Sequence, residues 1–272
     1  MSDIAFLHRP QPSPNPKESP TTVDAQQERL LTDLAERHRT WYGGAEIDGK
    51  LKHVIRDAPE SKLSDWDAHR LLRLAQAVYF ETHVEVVSGH HTATYLRFES
   101  IAQIPQLMTL IARDMADWLR QTYHDEPIHG LVVTASAARL LAERVADILR
   151  DAMPMRLVVT PYEHISGRIG TQIMGGLIRS GERFVALNDV TTRGNCVSKL
   201  GKVVTDAGGL LAGMMVFARR DSGQFPLMGS LTARYPFYYT TDLYMPQWEP
   251  KNCPMCRDGT VPLIGWQHIP EL

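Results

Sequence analysis

From residue 130 onward the chain alternates short, wholly apolar runs with longer amphipathic stretches, and this rhythm constrains its fold more than any other feature. GLVVT (Gly130–Thr134) is followed by SAARLLAERVADILRD, whose leucines and valines recur at helical spacing. MRLVVTP (155–161) and RFVALND (183–189) are further apolar runs, the second followed by the amphipathic CVSKLGKVVTDA. Gly208 and Gly209 then lead into GLLAGMMVFARR (209–220). Short runs without polar alternation fit strands covered on both faces. Strands of this kind alternating with helices predict an α/β fold, a parallel sheet flanked by helices. In that architecture ligands sit beyond the carboxyl ends of the strands. Met108, Met115, Met214 and Met215 fall on apolar faces and read as core packing.

Upstream the pattern differs. RPQPSPNPKESPTT (9–22) holds five prolines and almost nothing apolar, too little to offset the entropy of ordering, so residues 1–22 read as a flexible tail. Residues 23–79 read as a helical extension. One helix is expected over about 23–41, carrying Leu30, Leu31, Leu34 and Trp41, with a break at Gly43 and Gly44. A second is expected within 63–80, capped by Ser64, with Trp66, Leu71, Leu74, Ala75 and Val78 as its apolar stripe. Residues 80–127 contain a strand pair turning at Gly89, then a helix opened by Pro105 and running from 106 to about 123. The sheet-forming core occupies 128–245, and 246–272 form a C-terminal segment.

At 272 residues the chain can bury one large core with additions. Its formal net charge of −2 leaves no global basic field for nucleic acid. Three cysteines cannot make a disulfide framework, which points to a reducing, cytoplasmic setting. No apolar run is long enough to span a membrane, and the N-terminus lacks a secretory pattern.

The stretch FVALNDVTTRGNC (184–196) carries the chemistry. An apolar strand ends in Asn188 and Asp189, and a turn of small polar residues opens the next helix. Backbone N–H groups of such a turn converge on phosphate oxygens, helped by the helix dipole. Thr191 and Thr192 add hydroxyl donors, and Gly194 allows a left-handed turn and a close approach. Arg193 either forks onto a phosphate or points to solvent. Asp189 cannot attract phosphate. It suits sugar hydroxyls, or magnesium held through water, with a plain helix cap as the alternative. Phosphate, sugar and magnesium together suggest a phosphorylated ribose.

LNDVTTRGNC resembles the phosphoribosyl-pyrophosphate (PRPP) signature of type I phosphoribosyltransferases. Asp189 matches its second acid, Thr192 its first hydroxyl and Gly194 its glycine, while Asn188 stands for the first acid and Cys196 for the last hydroxyl. The flanks agree. GRIGTQIMGGLIRSGERFVALNDV is similar to the segment before the signature in orotate phosphoribosyltransferases, and DAGGLLAGMMVFARRDSG to the segment after it. VEVVSGHHTATYLRFES resembles the family's small N-terminal hood, and YMPQWEPKNCPMCRDGTVPL its Cys-Pro-x-Cys ending.

The resemblance implies magnesium-dependent transfer of phosphoribosyl from PRPP to a nitrogenous base, orotate-like, with release of pyrophosphate, in a homodimer. Asp189 would hold the ribose, and 192–196, with Asn195 and Cys196, the 5′-phosphate. Thr134, Arg139, His164 and Arg168 would face pyrophosphate, although YEHISGRIGTQ lacks the family's loop lysines. That lysine-poor loop and the N-terminal extension leave an alternative: a non-catalytic protein that binds PRPP or a nucleotide and acts on a protein partner. His90 and His91 lie where the hood would approach the base, or are a solvated pair. Cys253 and Cys256 have zinc-ligand spacing but supply two of the four ligands that structural zinc takes. His268 is a candidate third and no fourth is evident, so a metal-free turn is the other reading.

Overall fold

The computed structural model describes residues 25–220 and 225–269, and the tail expected over 1–22 lies outside them. Six strands form the central sheet: β1 (Ile55–Arg56), β2 (Gly130–Thr134), β3 (Arg156–Thr160), β4 (Arg183–Thr191), β5 (Leu210–Arg219) and β6 (Phe237–Leu243). Their order is β3-β2-β4-β5-β6-β1, and all neighbours are parallel except the antiparallel edge pair β6 and β1. From β2 the chain moves outward to β3, but from β4 it moves the other way, to β5 and β6. The crevice where direction reverses therefore opens between the carboxyl ends of β2 and β4.

Before and beside the first half of the sheet lie α1 (Ala25–Gly43), α2 (Glu46–Val54), α3 (Asp65–Leu74), α4 (Phe98–Ala102) and α5 (Pro105–Thr122). They are followed by α6 (Ala137–Leu149), α7 (Asn195–Asp206), α8 (Pro226–Thr232) and α9 (Pro254–Asp258). Strand β4 shows why the sheet is covered twice. Phe184 and Ala186 pack with Val197, Leu200, Val203 and Val204 of α7. Val185 and Leu187 point the other way, into a core shared with α2, α3, α5 and α6. All four expected core methionines are 0–1% exposed.

Two helical expectations change. A helix the sequence reading lacked, α2, resumes soon after Gly44 and buries Ile47, Leu51 and Val54. Helix α3 keeps its Ser64 cap, reciprocated by Asp67 in a capping box, but stops at Leu74 instead of continuing towards 80. Gln76 takes a φ of 49°, and Val78–Tyr79 pairs antiparallel with Tyr95–Leu96. Trp66 and Leu74, expected in its apolar stripe, are 64% and 57% exposed.

The hood is a second, four-stranded sheet made from distant parts of the chain. Val84–Glu85 and His91–Thr92 form the expected antiparallel pair, with Gly89 at a φ of 73° in the turn. Gln247–Trp248 extends it antiparallel to His91–Thr92, and Ile264–Gly265 lies parallel to Val84–Glu85.

Candidate active site

The two polar residues of β4 have separate surroundings. Asn188 is 5% exposed, its Nδ2 donates to the Val190 carbonyl at 3.0 Å, and its Oδ1 accepts from Thr134 Oγ1 at 3.4 Å. Thr134 also shares a 2.8 Å bond with Ser136 Oγ. These contacts bridge β4 and β2 at the crevice, so Asn188 and Thr134 frame the site without lining the cavity above it. Asp189 does line that cavity, half-buried, with Oδ1 accepting from the Val190 N–H at 2.8 Å. Burial first, and the carboxylate of Glu99 second, push its carboxyl up to about 7. The helix-cap alternative for Asp189 fails, because the N-cap of α7 is Gly194.

Gly194 sits at a φ of 86°, in the left-handed region, and a Cβ there would lie 3.1 Å from both Met228 Sδ and Leu231 Cδ1. It sends the chain directly into α7 at Asn195, with no side chain capping the helix start. The first backbone N–H groups of α7 thus lack intrahelical acceptors, and Asn195 and Cys196 line the cavity. The sequence favoured Thr192 over Thr191 as a phosphate contact. Both line the cavity, but it is Thr191 Oγ1 that is buried with no hydrogen-bond partner among the described residues. Burial, then Asp189, push the Cys196 thiol up to about 11, so it stays a neutral S–H donor at physiological pH. Arg193 crosses to the hood: its Nη2 donates to His90 Nε2 at 2.6 Å, and its guanidinium lies 4.7 Å over the Phe225 ring.

The cavity between the strand ends and the hood measures about 530 Å³. Four cations line it, Arg168, Arg193, Lys199 and Arg220, together with the acids Asp189 and Glu99. Arg168 belongs to the hairpin of Tyr162–Glu163 and Arg168–Ile169. Of the other residues expected to face pyrophosphate, His164 is exposed and meets the edge of Tyr162, with ring centres 5.1 Å apart. Arg139 is exposed on α6 and pairs with Glu143 at 2.8 Å. Neither lines the cavity.

Two cations were not singled out from the sequence. Lys199 lies one turn into α7, and a helical side chain leans towards the helix N-terminus, so a lysine four residues after Asn195 was the available signal. Arg220 is 5% exposed, its backbone N–H donates to the Thr191 carbonyl at 2.8 Å, and its Nε is buried without a partner among the described residues. Burial brings its guanidinium down to about 10. Only the parallel pairing of β4 and β5 reveals that it ends level with Thr191. His91, by contrast, is 4% exposed, outside the cavity, and lies beside Cys256. His268 is exposed and stands apart from the cysteines.

Among the described residues, no helix is long and apolar enough to cross a membrane. No family model matches the chain. Curated relatives do. The orotate phosphoribosyltransferase of Heliobacterium modesticaldum is 27% identical over 180 residues, covering 66% of this chain and 86% of its own length. That of Thermus thermophilus is 29% identical over 184 residues, covering 67% and 91%. Among solved structures, Leishmania donovani UMP synthase is similar over 63% of this chain and 34% of its own, at 20% identity and a TM-score of 0.49.

Proposed function

We propose that the chain is a type I phosphoribosyltransferase, most similar to the orotate phosphoribosyltransferases, and that it transfers phosphoribosyl from PRPP to a carboxylated, orotate-like base. The observation that carries this reading is the meeting, in one cavity, of Asp189, an uncapped helix start behind Gly194, and four cations. The turn 192–195 binds the 5′-phosphate through backbone N–H groups, with the Thr191 and Thr192 hydroxyls and the Cys196 thiol as further donors. Asp189 accepts hydrogen bonds from the ribose hydroxyls. Arg168 and Lys199 balance the charge that grows on pyrophosphate as the anomeric bond breaks. Positioning of the base nitrogen against the anomeric carbon then does most of the remaining work.

Arg220 supports the choice of base. A buried guanidinium at the cavity wall, with no carboxylate beside it among the described residues, suits a ligand that brings its own carboxylate. Magnesium also fits. It prefers hard oxygen donors and keeps several waters, and Asp189 facing Glu99 is a carboxylate pair that a cation would relieve. Asp189 would hold the ion through water, with Glu99 nearby, and the ion would supply further charge neutralisation to pyrophosphate. No observation favours the non-catalytic binder. Apolar side chains exposed at Met174 and Leu177 are surface that a second copy would cover, in keeping with a homodimer. Three free cysteines suit a cytoplasmic enzyme.

The test is pyrophosphate release from PRPP and magnesium with orotate, and with uracil and adenine as bases lacking a carboxylate. Release with orotate alone is expected, with Arg220→Ala raising KM for orotate by at least ~10-fold, as for loss of a charged hydrogen bond. PRPP binding without release for any base would sink the transferase reading.

A further inference from the structure

We propose that the hood carries a structural zinc site formed by His83, His91, Cys253 and Cys256. One ligand atom from each of the four lies within 4.8 Å of the others. The individual separations are His83 Nε2 to His91 Nδ1 3.0 Å, His83 Nε2 to each Sγ 3.5 Å, and Cys256 Sγ to His91 Nδ1 3.2 Å. In a tetrahedron with ordinary zinc bond lengths, nitrogen–nitrogen and nitrogen–sulfur edges come to about 3.4 and 3.6 Å. These four edges therefore match such a site to within about 0.4 Å, and the remaining two lie within 4.8 Å.

The tautomer of His83 supports the same reading. Its Nδ1 lies 2.9 Å from the Val261 carbonyl, which can only accept, so Nδ1 carries the proton and Nε2 points its lone pair into the cluster. Metal-bound histidines are commonly oriented in this way by a backbone carbonyl. His83, His91 and Cys253 are 3%, 4% and 2% exposed, and Cys256 closes the outer side. Four protein ligands leave no open position, which marks a structural site, and a Cys2His2 donor set selects zinc. The pattern was half visible in the sequence: Cys-x-x-Cys supplied two ligands, and the other two stand about 170 residues away, at His83 and His91 in place of His268.

None of the four lines the cavity, but the segments they join do. Val86 and Ser88 lie between the two histidines, and Gln247 and Trp266 lie on either side of the cysteines. His90, next to a ligand, accepts the hydrogen bond from Arg193 of the phosphate turn. The ion thus fastens the hood strands to the C-terminal segment at the wall of the cavity.

The decisive measurement is metal content of the full chain, purified without chelator, by mass spectrometry, and it does not depend on the catalytic reading. About one zinc per chain is expected, falling at least ~10-fold in Cys256→Ser and in His83→Ala. Wild-type protein depleted by a chelator should melt at a lower temperature, recover on adding zinc, and with cobalt(II) show the intense visible bands of a tetrahedral site. This wild-type arm stands even if a variant fails to fold. Absence of zinc and cobalt binding by the wild type, a Cys253–Cys256 disulfide in protein purified under reducing conditions, or zinc content unchanged in folded Cys256→Ser would each overturn the site.

Discussion

Asp189 changes charge near neutral pH, because burial, and then Glu99, raise its carboxyl from 3.8 to about 7. The native state holds this proton more tightly than the unfolded chain. The associated stability is full below the unfolded value and is lost as the pH rises through about 7. Asp189→Asn should therefore melt a few degrees higher than wild type at pH 8 without ligand, roughly 2–4 °C for each kcal/mol relieved. The same variant should lose about 10²–10³-fold in kcat/KM for PRPP. In wild type that parameter should fall below about pH 7 as the carboxyl protonates, and the variant's profile should lack this limb. A wild-type profile flat from pH 5 to 8 would remove Asp189 from the reaction. Asn188 is different: with both ends of its amide bonded to Val190 and Thr134, it serves the frame of the crevice.

The turn between β4 and α7 works as one element because Gly194 meets two demands together, a left-handed backbone and contact with α8. Gly194→Ala should cost about 1–3 kcal/mol in denaturant unfolding, from left-handed strain and displacement of Met228 and Leu231. If the N–H groups that follow that turn hold the 5′-phosphate as proposed, it should also raise KM for PRPP. Elements like this were legible in the sequence. The apolar runs of β2 to β5, the glycine turn and the hood pair at Gly89 each carry a local signal in period or turn chemistry. Helix α2 was missed because its nine residues give barely two turns of pattern, and α3 was overextended because antiparallel pairing of Val78–Tyr79 overrides helical spacing. Lys199 and Arg220 were missed for a related reason. Each is ordinary on its own element, and only the packing of α7 and β5 beside β4 brings them to Asp189.

The molecule as a whole is held to its N-terminal helices by a buried acid. Asp114 on α5, 4% exposed, accepts hydrogen bonds from Ser61 Oγ at 3.1 Å, the Lys62 N–H at 2.8 Å and the hydroxyl of Tyr238 on β6. Asp114→Ala leaves three donors without their acceptor and should destabilise the fold by about 3 kcal/mol, measured by urea unfolding, with KM for PRPP little changed in the folded fraction. The hood has a different dependence, on order of synthesis. Its strands at 84–85 and 91–92 emerge early from the ribosome, yet their partners at 247–248 and 264–265 are translated only after the central sheet. At about 5–20 residues per second the early pair waits on the order of 10 s or more with exposed edges. A nascent chain can thus complete its α/β core before the two late hood strands exist, and the last pieces of the cavity wall to be synthesised are Gln247 and Trp266.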